Sequence, residues 1–167
     1  MKLTVRELVQ LALLSAIMII GKQLMSALPN IEPVSLIFIA AALVYGAKAL
    51  YICAVFVPVQ GLLYGFGLWF YCYMYIWPLL VVIVLLMKKI NSSYIVWTVI
   101  AALFGLVFGA LCSLPYLFIG GPSMAFGYWI SGLPYDLLHC AGNAVMCGVL
   151  LRPLTMLLQK LTAKTAT

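Results

Sequence analysis

The sequence predicts an all-α integral membrane protein: a bundle of six transmembrane helices with both termini cytoplasmic, forming a single membrane domain over residues 1–167. Three observations carry this prediction. Apolar residues make up 67% of the chain and charged residues 7%, whereas a soluble domain carries about 25% charged residues. Apolar runs separated by short polar punctuation recur along nearly the whole length, as serial spans require. The basic residues gather at alternate ends of those runs, which is how cytoplasmic segments are marked.

The expected spans are 7–28, 33–46, 49–66, 68–87, 93–118 and 133–158. Lys2 and Arg6 precede the first run, which lacks a small-x-small cleavage site and so reads as a retained span rather than a leader. The second run is short for a bilayer, which takes about 20 residues at 1.5 Å each. It must be tilted, sheltered by neighbours, or extended into the following turn. A five-span rival would fuse 33–58 around Lys48, but it leaves Lys88 and Lys89 outside. With six spans, Lys2, Arg6, Lys48, Lys88, Lys89, Arg152, Lys160 and Lys164 all fall inside and only Lys22 is left over. Six spans are preferred, and a multi-pass location in the cell membrane follows. Kinks are expected at Pro58, Pro78 and Pro115, each freeing a carbonyl one turn earlier. The segment 119–131, with Gly120, Gly121, Pro122 and Gly127, is expected to be a loop folded over the outer mouth as a lid.

The aromatic residues are lopsided. Tyr45, Tyr51, Tyr94 and Trp97 fall toward the inner half, while Tyr64, Trp69, Tyr71, Tyr73, Tyr75, Trp77, Tyr116, Tyr128, Trp129 and Tyr135 fall toward the outer half. An aromatic belt at the headgroups is one explanation, but belts form on both faces. The other is an outward-facing pocket lined by flat amphipathic rings.

Polar groups inside a bilayer are costly and face the bundle interior or a cavity. Lys22 and Gln23 sit in the outer part of the first span, Glu32 in the following loop beside Pro33, and Gln60 deep in the third span. Lys22 and Glu32 have opposite charges at one level, so they form either a packing salt bridge or a pair that orients a ligand. Pro134 suits the first turn of a helix, which would place Asp136 near the positive end of its dipole. Asp136, His139 and Asn143 then share one helix face. They form either an internal ladder, with Asp136 accepting from His139 and Asn143 reaching a neighbouring helix, or a ligand-contacting set. One His among three acidic residues does not make a metal site. Cys53, Cys72, Cys112, Cys140 and Cys147 form no CxxC pair and are expected as buried small hydrophobes. In the first span, Ala12 and Ala16, with Ser15 beside them, have the spacing that allows close helix–helix approach in lipid.

No phosphate-binding loop, HExxH or GxSxG motif is present, and three acidic residues cannot sustain metal-dependent phosphotransfer. No enzymatic activity is expected. Proton-coupled carriage through Asp136 and His139 stays open as an alternative, although no inverted repeat is visible.

The chain resembles the substrate-binding S-components of energy-coupling factor (ECF) transporters, six-span proteins that capture vitamins from outside. The matching pieces are Ala12-Leu13-Leu14-Ser15-Ala16, the loop Leu28-Pro29-Asn30-Ile31-Glu32-Pro33-Val34, the stretch Gly61–Gly67, and the run Leu133–Asn143. The resemblance implies a first-span docking surface at Ala12, Ser15 and Ala16 for a membrane-embedded coupling subunit, two cytoplasmic ATPase subunits, and no cofactor of the chain's own. It also implies an outward ligand site, with Lys22, Glu32, Gln60, Tyr64, Trp69, Tyr71, Tyr73, Tyr128, Trp129, Tyr135, Asp136, His139 and Asn143 as candidates. The loop Asn30-Ile31-Glu32-Pro33 with the aromatic stretch 64–77 looks most like the cobalamin-specific group, making cobalamin or a related corrinoid the favoured ligand. Nucleic acid has no place in this reading.

Overall fold

The structure, a computed structural model, describes residues 2–90 and 93–163, and its regular elements are all helical. Lys164, expected on the cytoplasmic side, lies outside the described residues. Helix α1 (Val5–Leu24) starts at a capping box: the Thr4 hydroxyl accepts from the Glu7 N–H at 3.2 Å and the Glu7 carboxylate accepts from the Thr4 N–H at 2.9 Å. Then follow α2 (Val34–Tyr45), a 3₁₀ turn (Gly46–Ala49), α3 (Leu50–Tyr64), α4 (Leu68–Met87), α5 (Tyr94–Leu106) and α6 (Phe108–Ala163).

Four stretches are long and apolar enough to cross a membrane: Val5–Leu24, Val34–Tyr64, Leu68–Met87 and Tyr94–Ala163. Their outer surface agrees with that. On α1 alone Val5, Leu8, Val9, Leu13, Ile17, Ile20 and Leu24 are exposed, a continuous apolar face that a soluble monomer does not show. The helices are suited to a lipid environment.

Two of the four stretches are subdivided by backbone that only glycine adopts readily. Gly46 has φ 64° and ψ −139°, and Gly121 has φ 73° and ψ −171°. Uninterrupted, the 31 residues of Val34–Tyr64 would extend about 46 Å, well beyond a hydrocarbon core of about 30 Å. Cross-links to α1 show the direction on each side of the first break. Pro33 lies beside Gly21 while Tyr45 donates to Gln10, so α2 runs against α1. Lys48 pairs with Glu7 and Tyr64 with Gln23, so α3 runs with it. At the second break the chain doubles back on itself. Tyr116 stacks on Tyr128, the Gly109 N–H meets Asp136, Asn143 reaches Ala101, and Tyr94 meets Thr155.

Two expectations need correction here. The segment 119–131 is helical apart from Gly121, so it forms no lid loop. The reason is local: one glycine makes the reversal, and Pro122 immediately after it is tolerated in the first turn of a helix. The last helical segment therefore begins near residue 122 rather than 133, which leaves Pro134 and Asp136 well inside it, away from the positive end of any helix dipole. Pro58, Pro78 and Pro115, where kinks were expected, lie inside helices, and the helical runs are separated at Gly46, Val107 and Gly121.

The short second run has its explanation. Every residue from Val34 to Ala42 is buried, so α2 is the central helix, surrounded by α1, α4, α5 and α6. A helix that is apolar on all sides belongs in the middle of a bundle. It is sheltered by neighbours and lengthened by the 3₁₀ turn, as two of the three expectations had it. Beside it Trp77, fully buried, stacks on Phe38 at 5.3 Å and meets Phe56, Tyr73, Phe104 and Phe108. Where α5 meets α6, a Cβ on Gly105 would lie 2.7 Å from the His139 backbone, so the glycine sets how closely the two helices approach.

Candidate functional site

At the end of the bundle where α1 finishes and α4 begins, two adjoining chambers open. The first, about 330 Å³, is lined by Lys22, Glu32, Gln60, Tyr64, Trp69 and Tyr73 together with the 25–30 turn. The second, about 360 Å³, is lined by Phe108, Gly109 and Cys112 on one arm of the α5–α6 hairpin and by Tyr128, Tyr135 and Asp136 on the other. Asn30, Trp69 and Tyr73 belong to both and form the wall between them.

Loop geometry positions that wall. Asn30 has φ 55°, a left-handed conformation that Asn tolerates better than most residues. Its side-chain amide donates to the Tyr135 carbonyl at 3.2 Å, tying the loop to α6. Trp69 and Tyr73 lie one turn apart on α4 with ring centres 5.3 Å apart in an edge-on arrangement. Lys22 forms an ion pair with Glu32, and its ammonium lies 5.9 Å from the Tyr73 ring centre, within cation–π range. The sequence left two roles open for this pair; it is an ion pair, and it also lines the first chamber.

Each chamber holds a buried acceptor with nothing to accept from. Gln60, 1% exposed on α3, has an unpartnered Oε1, and Asp136, 2% exposed on α6, has an unpartnered Oδ2. The other Asp136 oxygen accepts from the Gly109 N–H at 2.8 Å. A Cβ at position 109 would lie 2.5 Å from Oδ2, so Gly109 is what lets the carboxylate sit there. Unpaired buried acceptors cost about 1–3 kcal/mol each and more when charged. Both oxygens are themselves enclosed, on residues that line the chambers.

Not every candidate is brought to the chambers. Tyr71 is exposed on the outside of α4, and Trp129 lines neither chamber. His139 is buried edge-on against Phe108, with ring centres 4.8 Å apart and both ring nitrogens unpartnered. The expected ladder forms only in part. Asn143 does reach the neighbouring helix, donating to the Ala101 carbonyl at 2.9 Å, but Asp136 accepts from Gly109 and not from His139. Here the part of α6 after Gly121 packs against the part before it, which brings the Gly109 N–H to Asp136. In the first span, Ala12 and Ala16 are exposed on the outer face of α1, whereas Ser15 is buried and donates to the Leu11 carbonyl at 2.9 Å. Ser15 is therefore not on the exposed face that Ala12 and Ala16 share.

Asn30 and Gly109 were not among the sequence candidates for the site. An Asn two residues before Glu32-Pro33 was a usable signal for the first; the second depends on a contact between helices that no local pattern reveals. Among the described residues no group of His, Cys, Asp and Glu is placed to hold a metal ion. Comparison with protein-family models, curated proteins and solved structures finds no match.

Proposed function

We propose that the chain is the substrate-capturing membrane subunit of an ATP-driven importer of the ECF type. In this reading it crosses the membrane six times with both termini cytoplasmic, and the two chambers face outward. Power comes from a membrane-embedded coupling subunit and two cytoplasmic ATPases. The observation that carries the reading is the pair of orphaned acceptors, Gln60 Oε1 and Asp136 Oδ2, one in each aromatic-walled chamber. A vitamin with an extended ring frame and peripheral N–H or O–H donors satisfies both. A corrinoid, whose ring edge carries primary amides, remains the favoured candidate, although it is broader than either chamber and would have to displace the Asn30–Trp69–Tyr73 wall.

The test is to purify the chain without added ligand and analyse the released small molecules by mass spectrometry, then titrate it with cobalamin and smaller vitamins. A co-purified vitamin that rebinds saturably supports the proposal. A folded protein that carries and binds none of them refutes it. Replacing Ala12 or Ala16 by a bulky residue should stop uptake while leaving binding intact, since both lie on the exposed face of α1.

A stand-alone proton-coupled carrier draws on the same Asp136 carboxylate. It is the weaker reading, because a relay needs Asp136 and His139 to exchange a proton and they share no hydrogen bond. Uptake into vesicles by the isolated chain under a proton gradient would favour it.

A further inference from the structure

The opposite end of the bundle holds a cavity that the importer reading does not use. It measures about 460 Å³ and is lined by Leu43, Lys88, Lys89, Tyr94, Trp97, Thr155 and Gln159. Its charge is uncompensated. The chain has three acidic residues; Glu32 and Asp136 line the chambers at the far end, and Glu7 is engaged by Lys48 at 2.5 Å. No carboxylate lines this cavity among the described residues, so Lys88 and Lys89 line it without an ion-pair partner.

The surroundings hold one of these cations in place. The Lys88 ammonium donates to the Ala42 carbonyl at 3.2 Å, near the C-terminal end of α2, its one hydrogen bond among the described residues. Across the cavity, Thr155 donates to the Leu151 carbonyl at 2.8 Å, so the Tyr94 hydroxyl is the donor in their 3.0 Å contact and its ring is fixed. Leu43 and the buried Trp97 provide an apolar flank. Two cations, a polar amide and an apolar wall between helix ends are the chemistry that holds a phosphate group attached to an apolar body. Basic pockets between helices at the cytoplasmic surface hold anionic lipid headgroups in this way.

We propose that this cavity is a binding site for a phosphate group, supplied by an anionic phospholipid at the membrane surface. The proposal depends on the membrane location of the chain and not on what the outer chambers carry. Free phosphate offers the same charge without the apolar body, and the experiment separates the two sources.

The full chain is reconstituted in nanodiscs of mixed phosphatidylcholine and phosphatidylglycerol, and the lipids retained after release are counted by native mass spectrometry. In parallel, the detergent-purified chain is titrated with inorganic phosphate. Lys88→Gln/Lys89→Gln is compared with Arg152→Gln/Lys160→Gln, which removes the same charge outside the cavity, and with Lys88→Arg/Lys89→Arg, which keeps it. Preferential retention of phosphatidylglycerol is expected in the wild type, the charge-matched control and the Arg variant, with a loss of about tenfold in the Gln variant. Saturable phosphate binding with the same pattern but no lipid preference would keep the phosphate site and assign a soluble source. Equal behaviour of the two Gln variants, or no preference for either ligand, would overturn the proposal.

Discussion

The two ends of this molecule use their few polar residues in opposite ways. At the basic end they mostly join one helix to another: Glu7 to Lys48, Tyr45 to Gln10, Gln10 to the Leu161 carbonyl, Tyr94 to Thr155, Lys88 to the Ala42 carbonyl. At the other end the Lys22–Glu32 and Tyr64–Gln23 pairs do the same, but Gln60 and Asp136, which line the chambers, each hold an enclosed oxygen with no hydrogen-bond partner among the described residues. A bundle gains nothing in stability from the second arrangement, since each orphaned acceptor carries an unrecovered desolvation cost. At the basic end most of these polar groups tie helices together, while at the other end Gln60 and Asp136 keep buried oxygens that no group among the described residues satisfies.

Substitutions at each end test this division. The largest effect is expected from Asp136→Asn, which keeps an acceptor for the Gly109 N–H but removes the charge. Affinity for a small molecule that co-purifies with the chain should fall about tenfold to a hundredfold, as for other hydrogen bonds to charged groups, with thermal unfolding little changed. Unaltered affinity in a calorimetric titration would remove the second chamber from the site. Gly121→Ala should act through the fold, because its backbone lies in a region essentially reserved for glycine; a destabilisation of about 1–3 kcal/mol is expected, read as a lower unfolding temperature. Glu32→Gln is expected to weaken binding only a few-fold, about 1 kcal/mol, since Lys22 and the Tyr73 face remain in the chamber. A loss as large as that of Asp136→Asn would mean that the ion pair itself contacts the ligand. Smallest is Thr4→Ala, which removes the helix cap at the basic end: about 1 kcal/mol of stability and no change in ligand affinity.

Much of the fold was legible because punctuation in this chain is sparse and unambiguous. Pro33, the Gly46–Lys48 turn, the Gly65–Gly67 stretch and Lys88–Lys89 bound α2, α3 and α4 within a residue or two of the expected runs. The region 119–131 misled because Gly120, Gly121, Pro122 and Gly127 together read as a loop, while only Gly121 leaves helical geometry. That error moved the start of the last helix and gave Asp136 a helix-terminal setting it does not have. On the site, the cost of polar groups in lipid was enough to select Lys22, Glu32, Gln60 and Asp136, all of which line the chambers. The same rule selected His139 and Asn143 and could not separate them from the others. Which way a buried polar group points is decided by the packing of α5 on α6, and Asn143 is used up by the Ala101 carbonyl.

The burial of α2 has a consequence for how the protein is made. At 12 residues its α-helical part spans only about 18 Å, too little to cross a bilayer core of about 30 Å unaided. Three of the helices that surround it, α4, α5 and α6, are synthesised after it. Its final seat is therefore reached only when the C-terminal hairpin arrives. The same hairpin carries Asp136 and the second chamber, so completion of the core and completion of the cavity are one late event in biogenesis.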